Sequence, residues 1–232
     1  MTHALNQTNK SSTDDRNYFD SIFADQAIFL FFNDEENQLV QSNCVLRIYR
    51  DDNMAEDAEW DNAANYKKFL KSARENVELM KARYEGFQVT EDNLDLLKSI
   101  QNEIRILVIG TDRCDDTAGN LPILARIAET TPKIELRILK SDAYARYHEQ
   151  FKVNGKRKTP VVLFLSTEHE ELCRWVERPN AAYKVINEAT DSSVNGRKIG
   201  LKKLYSDPEI QQQSMNEFME LVLRADFILG RT

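Results

Sequence analysis

The sequence predicts an α/β fold: a mixed sheet flanked by helices, with an N-terminal strand-and-helix extension and a C-terminal helix. Three observations carry that prediction. Short runs of branched apolar residues, Ile104 to Ile109 (IRILVI), Ile134 to Leu139 (IELRIL) and Val161 to Leu165 (VVLFL), are separated by segments of helical spacing. A fourth run, Glu171 to Val176, follows the third across Thr167-Glu168-His169-Glu170 and reads as a closing hairpin. Amphipathic stretches before the first run and at the C-terminus supply helices to cover the sheet.

Residues 1–16 are polar and rich in Ser, Thr, Asn and Asp, and read as a mobile tail. Tyr18 to Phe23 suggests a short helix. Ala27 to Phe32 and Cys44 to Tyr49 read as strands around a turn at Asn33 to Asn37, forming a hairpin or an added sheet edge. The acidic stretch 51–61 reads as a linker or the approach to a helix. From Asn62 to Tyr84 the spacing of Tyr66, Leu70, Ala73, Val77, Met80 and Tyr84 predicts one helix, ended by Gly86. Thr90 is placed to cap a shorter helix running to Ile100, with Leu94, Leu97 and Ile100 inward. After the first central strand a helix begins near Cys114, with Pro122 inside it, where the missing N–H should kink it. Ser141 to Phe151 predicts a helix, Lys152 to Lys158 a basic turn, and Asn180 to Ala189 a further helix. Asp191 to Leu204 reads as a polar loop. Asp207 as N-cap and Pro208 in the first turn open a terminal helix with the stripe Ile210, Ser214, Phe218, Val222, Ala225, Leu229, stopped by Gly230. The domain boundaries are therefore 1–61 for the extension, 62–190 for the α/β domain with its leading helices, and 191–232 for the loop and terminal helix.

Composition narrows the function. The chain has 31 Lys+Arg against 38 Asp+Glu, a net charge of −7, which argues against a general nucleic-acid binder. No run of apolar residues is long enough for a membrane span. With 41% hydrophobic residues the chain can bury a core. Three cysteines do not make a disulfide framework, and together with a polar N-terminus they suggest a cytoplasmic, reducing setting.

Of the three thiols, Cys114 has the informative position, between a buried strand and the start of a helix. Free N–H groups and the positive end of the helix dipole stabilise a thiolate there. Arg113 adds positive charge, while Asp115 and Asp116 oppose it, so the net effect is not signed by the sequence. Thr159-Pro160 directly precedes a strand, a position that tolerates a cis bond and exposes backbone groups.

These pieces together resemble the thioredoxin fold: IRILVIG before Cys114, Pro122 in the helix, IELRIL as the next strand, Thr159-Pro160, then the VVLFL and ELCRWV hairpin. More narrowly, TDRCDDTAGNLPILARIAE, the Gly155-to-Pro160 turn and the segment from Glu171 to Pro179 are similar to the bacterial thioredoxin-like family. The resemblance spans about residues 60 to 190. It implies a helical pair ahead of the redox domain, matched by 62–84 and 90–100, and a WCGD-type motif in many members. It also implies a cis-proline at Pro160 that presents backbone groups to a substrate. This chain departs from the pattern. Arg113 replaces the Trp usual before the cysteine. Val108 stands where many thioredoxins place a buried Asp. Thr117 occupies the position of the second, resolving thiol.

The functional expectation is a thiol–disulfide oxidoreductase of monothiol type. Cys114 and Thr117 are its candidate catalytic residues, the latter supporting the thiolate, and Thr159, Pro160 and Arg113 its candidate substrate contacts. A redox-inactive thioredoxin-fold module that binds a protein partner is the alternative, with Cys114 an inherited, half-buried residue. It would dock through the proline groove and the Ile28 to Phe32 run. Thr111-Asp112-Arg113-Cys114 has the Thr-x-x-Cys spacing of peroxiredoxins, but Leu107 stands where those enzymes carry Pro. Cys44 and Cys173 read as core filling. His148 and His169 lack companions at ligand spacing, so no metal and no cofactor is expected. Lys156-Arg157-Lys158 could hold a glutathione carboxylate or be a solvated turn. The expected partners are a protein or a low-molecular-weight thiol or disulfide, with no nucleic acid and no membrane. The aromatic run Ile28 to Phe32 is either core or a homodimer edge.

Overall fold

The computed structural model describes residues 58–188 and 201–231. The tail, the two N-terminal strand-like runs with Cys44, and most of the polar segment 191–204 lie outside them. The elements are α1 (Tyr66–Ser72), α2 (Val77–Gly86), α3 (Glu91–Ser99), β1 (Ile104–Gly110), α4 (Asp115–Thr130), β2 (Ile134–Lys140), α5 (Ala145–His148) running into a 3₁₀ turn (Glu149–Phe151), β3 (Val161–Leu165), β4 (Glu171–Val176), α6 (Asn180–Glu188) and α7 (Pro208–Leu229). None of the described helices is long and apolar enough to cross a membrane.

The four strands form one mixed sheet in the order β2-β1-β3-β4. β1 and β2 are parallel, with Ile104 opposite Ile134, and β3 runs antiparallel to both β1 and β4. Side chains alternate faces along a strand. Ile104, Ile106 and Val108 of β1 and Val162 and Phe164 of β3 enter the larger core, with Leu97, Leu121, Leu124, Phe218 and Val222. Leu107, Ile109, Val161, Leu163 and Leu165 point the other way, onto Trp60, Leu139 and Phe151. Burial on both faces is why β3 and residues 106–109 of β1 read as unbroken apolar runs. Ala64 exchanges two backbone hydrogen bonds with Ile138 (2.9 and 2.7 Å), continuing the sheet past the edge of β2.

Helix capping follows the local sequence. Asn65 accepts from the Lys68 N–H at 2.9 Å, Thr90 from Asn93, and Asp207 from Glu209. In α7 the expected residues Ile210, Ser214, Phe218, Val222 and Ala225 are buried, joined by Met215 and Met219. Trp175 of β4 packs edge-on to Phe218 at 4.9 Å.

Three expectations are corrected. The single helix over 62–84 is two helices, broken at residues 73–76. Ala73 is extended and Asn76 is left-handed (φ 53°). The break turns the Arg74 and Glu75 N–H groups outward onto Asp112, so a long-range contact overrides helical periodicity. The helix expected over 141–151 shrinks to α5 and its 3₁₀ turn. Ser141 is held instead by its N–H to Gly110 O (2.9 Å) and by its hydroxyl on His148. Residues 201–204, expected within a loop, are helical, and the following Tyr205 is fully buried.

Candidate functional site

Cys114 is the N-cap of α4 and half-buried. Its N–H bonds Thr111 O at 3.2 Å, and its carbonyl accepts the first helical bond, from Ala118 N, at 3.0 Å. The loop before it is anchored by Asp112. One carboxylate oxygen accepts from Arg74 N (2.6 Å) and Glu75 N (3.2 Å), while Asn76 Nδ2 bonds Asp112 O (3.0 Å) and Asp115 Oδ1 (3.1 Å). Partial burial of Asp112 opposes ionisation, but these N–H donors outweigh it, and the carboxyl is held below the ordinary range.

Facing the cysteine is the Thr159–Pro160 peptide, which is cis. The Cys114 thiol donates to Thr159 O at 3.2 Å. Two other contacts hold this loop. Glu177 N bonds Pro160 O at 2.8 Å, with Glu177 in a positive-φ conformation (71°) that a bulky residue rarely takes. The buried His148 ring meets Lys158 O through Nε2 at 2.9 Å.

A charged network lies under the first turn of α4. Asp116 is 4% exposed. Its carboxylate accepts from Arg178 (2.8 Å) and from the Tyr205 hydroxyl (2.5 Å). Burial raises the Asp116 carboxyl above the ordinary range, and those two partners offset only part of that effect. The Tyr205 hydroxyl is driven upward by burial and then by the Asp116 charge. Arg178 also reaches Glu177 (2.9 Å), which collects Lys158 (3.0 Å) and the Tyr183 hydroxyl (2.7 Å). Burial works against the Glu177 charge, yet these donors keep its carboxyl below the usual value. Tyr183 is pushed up to about 12 by burial and its bond to Glu177. The network thus runs from the residue before Thr159, through the end of β4, into α4.

The fold brings Cys114, Thr159 and Pro160 together. Thr117 is fully buried one turn beyond the cysteine, and its hydroxyl has no hydrogen-bond partner among the described residues. It packs against Gly110, where a Cβ would lie 3.0 Å from its methyl group. Arg113 is exposed and ion-paired with Asp142. Cys173 is apart from the site, on β4 under α7, with its Sγ 3.5 Å from Leu221 O, and burial pushes its thiol up to about 11. Cys44 lies outside the described residues. Among the described residues no group of His, Cys, Asp and Glu is arranged to hold a metal ion.

Sequence reasoning missed Asp112, His148, Glu177, Arg178 and Tyr205 as parts of this site. Asp116 was visible only as a first-turn acid. A Pro-flanked arginine after β4 and a tyrosine just ahead of the α7 cap were the available signals, and neither names its partner.

The family described as Thioredoxin matches residues 63–191, more than half of the 232-residue chain. Among solved structures, a Pseudomonas aeruginosa protein of unknown function superposes with a TM-score of 0.56 at 21% identity, covering 71% of this chain and 95% of that one. An HIV epitope-scaffold superposes with a TM-score of 0.55 at 20% identity, again covering 71% of this chain and 95% of that one. At these identities the likeness is one of fold. No curated protein matches the chain.

Proposed function

Because the chain belongs to the thioredoxin family, we propose that it is a thiol–disulfide oxidoreductase of the monothiol type, with Cys114 as its nucleophile. The observation that carries this reading is the place of Cys114 at the N-cap of α4, facing the Thr159–Pro160 peptide. A helix N-terminus favours the thiolate, and the backbone around Thr159–Pro160 offers hydrogen-bonding groups to an extended peptide or a small thiol. The Thr117 hydroxyl, unpartnered among the described residues, is the side-chain donor this reading assigns to the thiolate. Arg113 would meet an acidic substrate group by exchanging it for Asp142.

The step is an exchange. Cys114 gives up its proton to solvent, and the thiolate attacks one sulfur of a disulfide. The S–S bond breaks, the departing thiolate takes the electron pair, and Cys114 is left in a mixed disulfide. With Thr at position 117, release requires a second, external thiol. A reducing compartment supplies one.

One observation favours the alternative, a redox-inactive binding module. The S–H···O bond to Thr159 stabilises the protonated thiol, which is the unreactive form. The two readings separate in one experiment. The protein is incubated with oxidised glutathione, and adducts are mapped by site-resolved mass spectrometry. We expect a mixed disulfide at Cys114, absent in Cys114→Ser. A folded protein with no adduct at Cys114 would overturn the oxidoreductase reading.

A further inference from the structure

Six residues close a ring at the candidate site. Gly110, at the end of β1, accepts from Ser141 N at 2.9 Å. Ser141 Oγ is 2.8 Å from His148 Nδ1, and His148 Nε2 is 2.9 Å from Lys158 O. The next residue, Thr159, accepts the Cys114 thiol at 3.2 Å, and Cys114 is four residues on from Gly110. His148 is 0% exposed and Ser141 6%. A carbonyl can only accept, so Nε2 carries the hydrogen, and in the neutral ring Nδ1 accepts the hydrogen bond of the Ser141 hydroxyl.

We propose that His148 is the positioning residue of this site: as the neutral Nε2–H tautomer it fixes the Lys158 carbonyl, thereby seats the Thr159 carbonyl against the Cys114 thiol, and makes Cys114 reactivity respond to its own protonation. The inference deepens the monothiol reading and rests on it for the choice of Cys114 as the reacting group. Protonating Nδ1 would leave the buried Ser141 hydroxyl without its acceptor. Burial, and then the Arg157 charge, act against that proton, while the Lys158 carbonyl, Glu149 and Asp142 favour it. Those two carboxylates are already engaged, Glu149 by Lys152 and Arg157 and Asp142 by Arg113. The balance keeps the ring neutral at ordinary pH.

The test follows the rate at which Cys114 reacts with dithiodipyridine, as a function of pH, in the parent protein, His148→Ala and His148→Gln. His148→Ala removes the hold on the Lys158 carbonyl and weakens the S–H···O bond, so the rate near neutral pH rises by roughly three- to tenfold. His148→Gln keeps a donor for that carbonyl and returns the rate toward the parent's. It also erases the inflection that His148 protonation gives the parent profile below about pH 6.5. Equal rates in the parent and His148→Ala, or an unchanged profile in His148→Gln, would overturn the proposal. If the variants do not fold, long-range ¹H–¹⁵N spectra of the parent imidazole decide it. Nε2 protonation supports the proposal, and Nδ1 protonation or a charged ring at neutral pH defeats it. A glutathione adduct at Cys114 with rates insensitive to His148 rejects this inference and leaves the monothiol reading standing. The converse result rejects only the monothiol reading.

Discussion

The ring of Tyr205 occupies the space a side chain at position 119 would need: a Cβ on Gly119 would fall 2.3 Å from Tyr205 Cγ. That close approach lets the phenol reach past the helix backbone to Asp116 at 2.5 Å. Gly119→Ala should therefore lower stability. In an open helix the change would add about 1 kcal/mol through propensity. Here a ring body, which cannot swing aside as a flexible chain end can, must be displaced, and overpacking of this kind costs about 1–3 kcal/mol. A urea midpoint that rises in Gly119→Ala would refute the close packing.

The pairing of Asp116 with Arg178 should show strong coupling. Arg178→Met leaves a buried carboxylate without its cation and is expected to cost about 3–5 kcal/mol. Asp116→Asn should recover part of that loss in the double variant, because the uncompensated charge is gone. Additive effects in the double-mutant cycle would mean that the two side chains do not interact.

Thr117→Val offers a separation of roles. The hydroxyl has no partner among the described residues, so its removal at nearly constant shape should leave stability unchanged or raise it by about 1 kcal/mol. If Thr117 supports the thiolate, the same variant reacts more slowly at Cys114. A stability loss of more than about 1 kcal/mol by thermal denaturation would show that the hydroxyl is structurally paired.

Cys173 should be nearly inert under native conditions. With its thiol near 11, the thiolate fraction at neutral pH is about one part in ten thousand. Iodoacetamide should label Cys173 only on unfolding. Native-state labelling of Cys173 as fast as that of Cys114 would contradict its place under α7.

Stability should decline in two windows as the solution is acidified. His148 is held below its ordinary value of 6.5 by burial. Its contribution is complete above about 6.5 and is lost as pH falls from there through the folded-state value. Glu177 and Asp112 are held below their ordinary values of 4.5 and 3.8 by their donors. Their contributions persist to lower pH and vanish as it falls below those values. Denaturant midpoints across pH should show both steps, and His148→Gln should flatten only the upper one.

How much of this was readable in advance depends on where each residue finds its partner. The runs in β1 and β3, the cap at Asp207 and the apolar stripe of α7 are set by neighbours within a few positions, and periodicity reports them directly. The helix spanning 62–84 was misread because the same local signal is silent about Asp112, which lies 38 residues from Arg74 and ends α1 by taking its N–H. Cys114 and Thr159–Pro160 were readable as candidates because strand, turn and helix start are local features. His148 was not, because a lone histidine has no pattern of its own.

The sequence by itself determined the order of the four central strands along the chain, the family, and the thiol at a helix start with threonine in place of its partner. Only the tertiary structure decided what surrounds that thiol. Tyr205 reaches Asp116 across 89 residues, Arg178 reaches it across 62, and Cys114 meets Thr159 across 45. Most buried polar groups are paired, but which distant partner satisfies each one is fixed by how the helices pack on the sheet, and no local spacing in the chain carries that information.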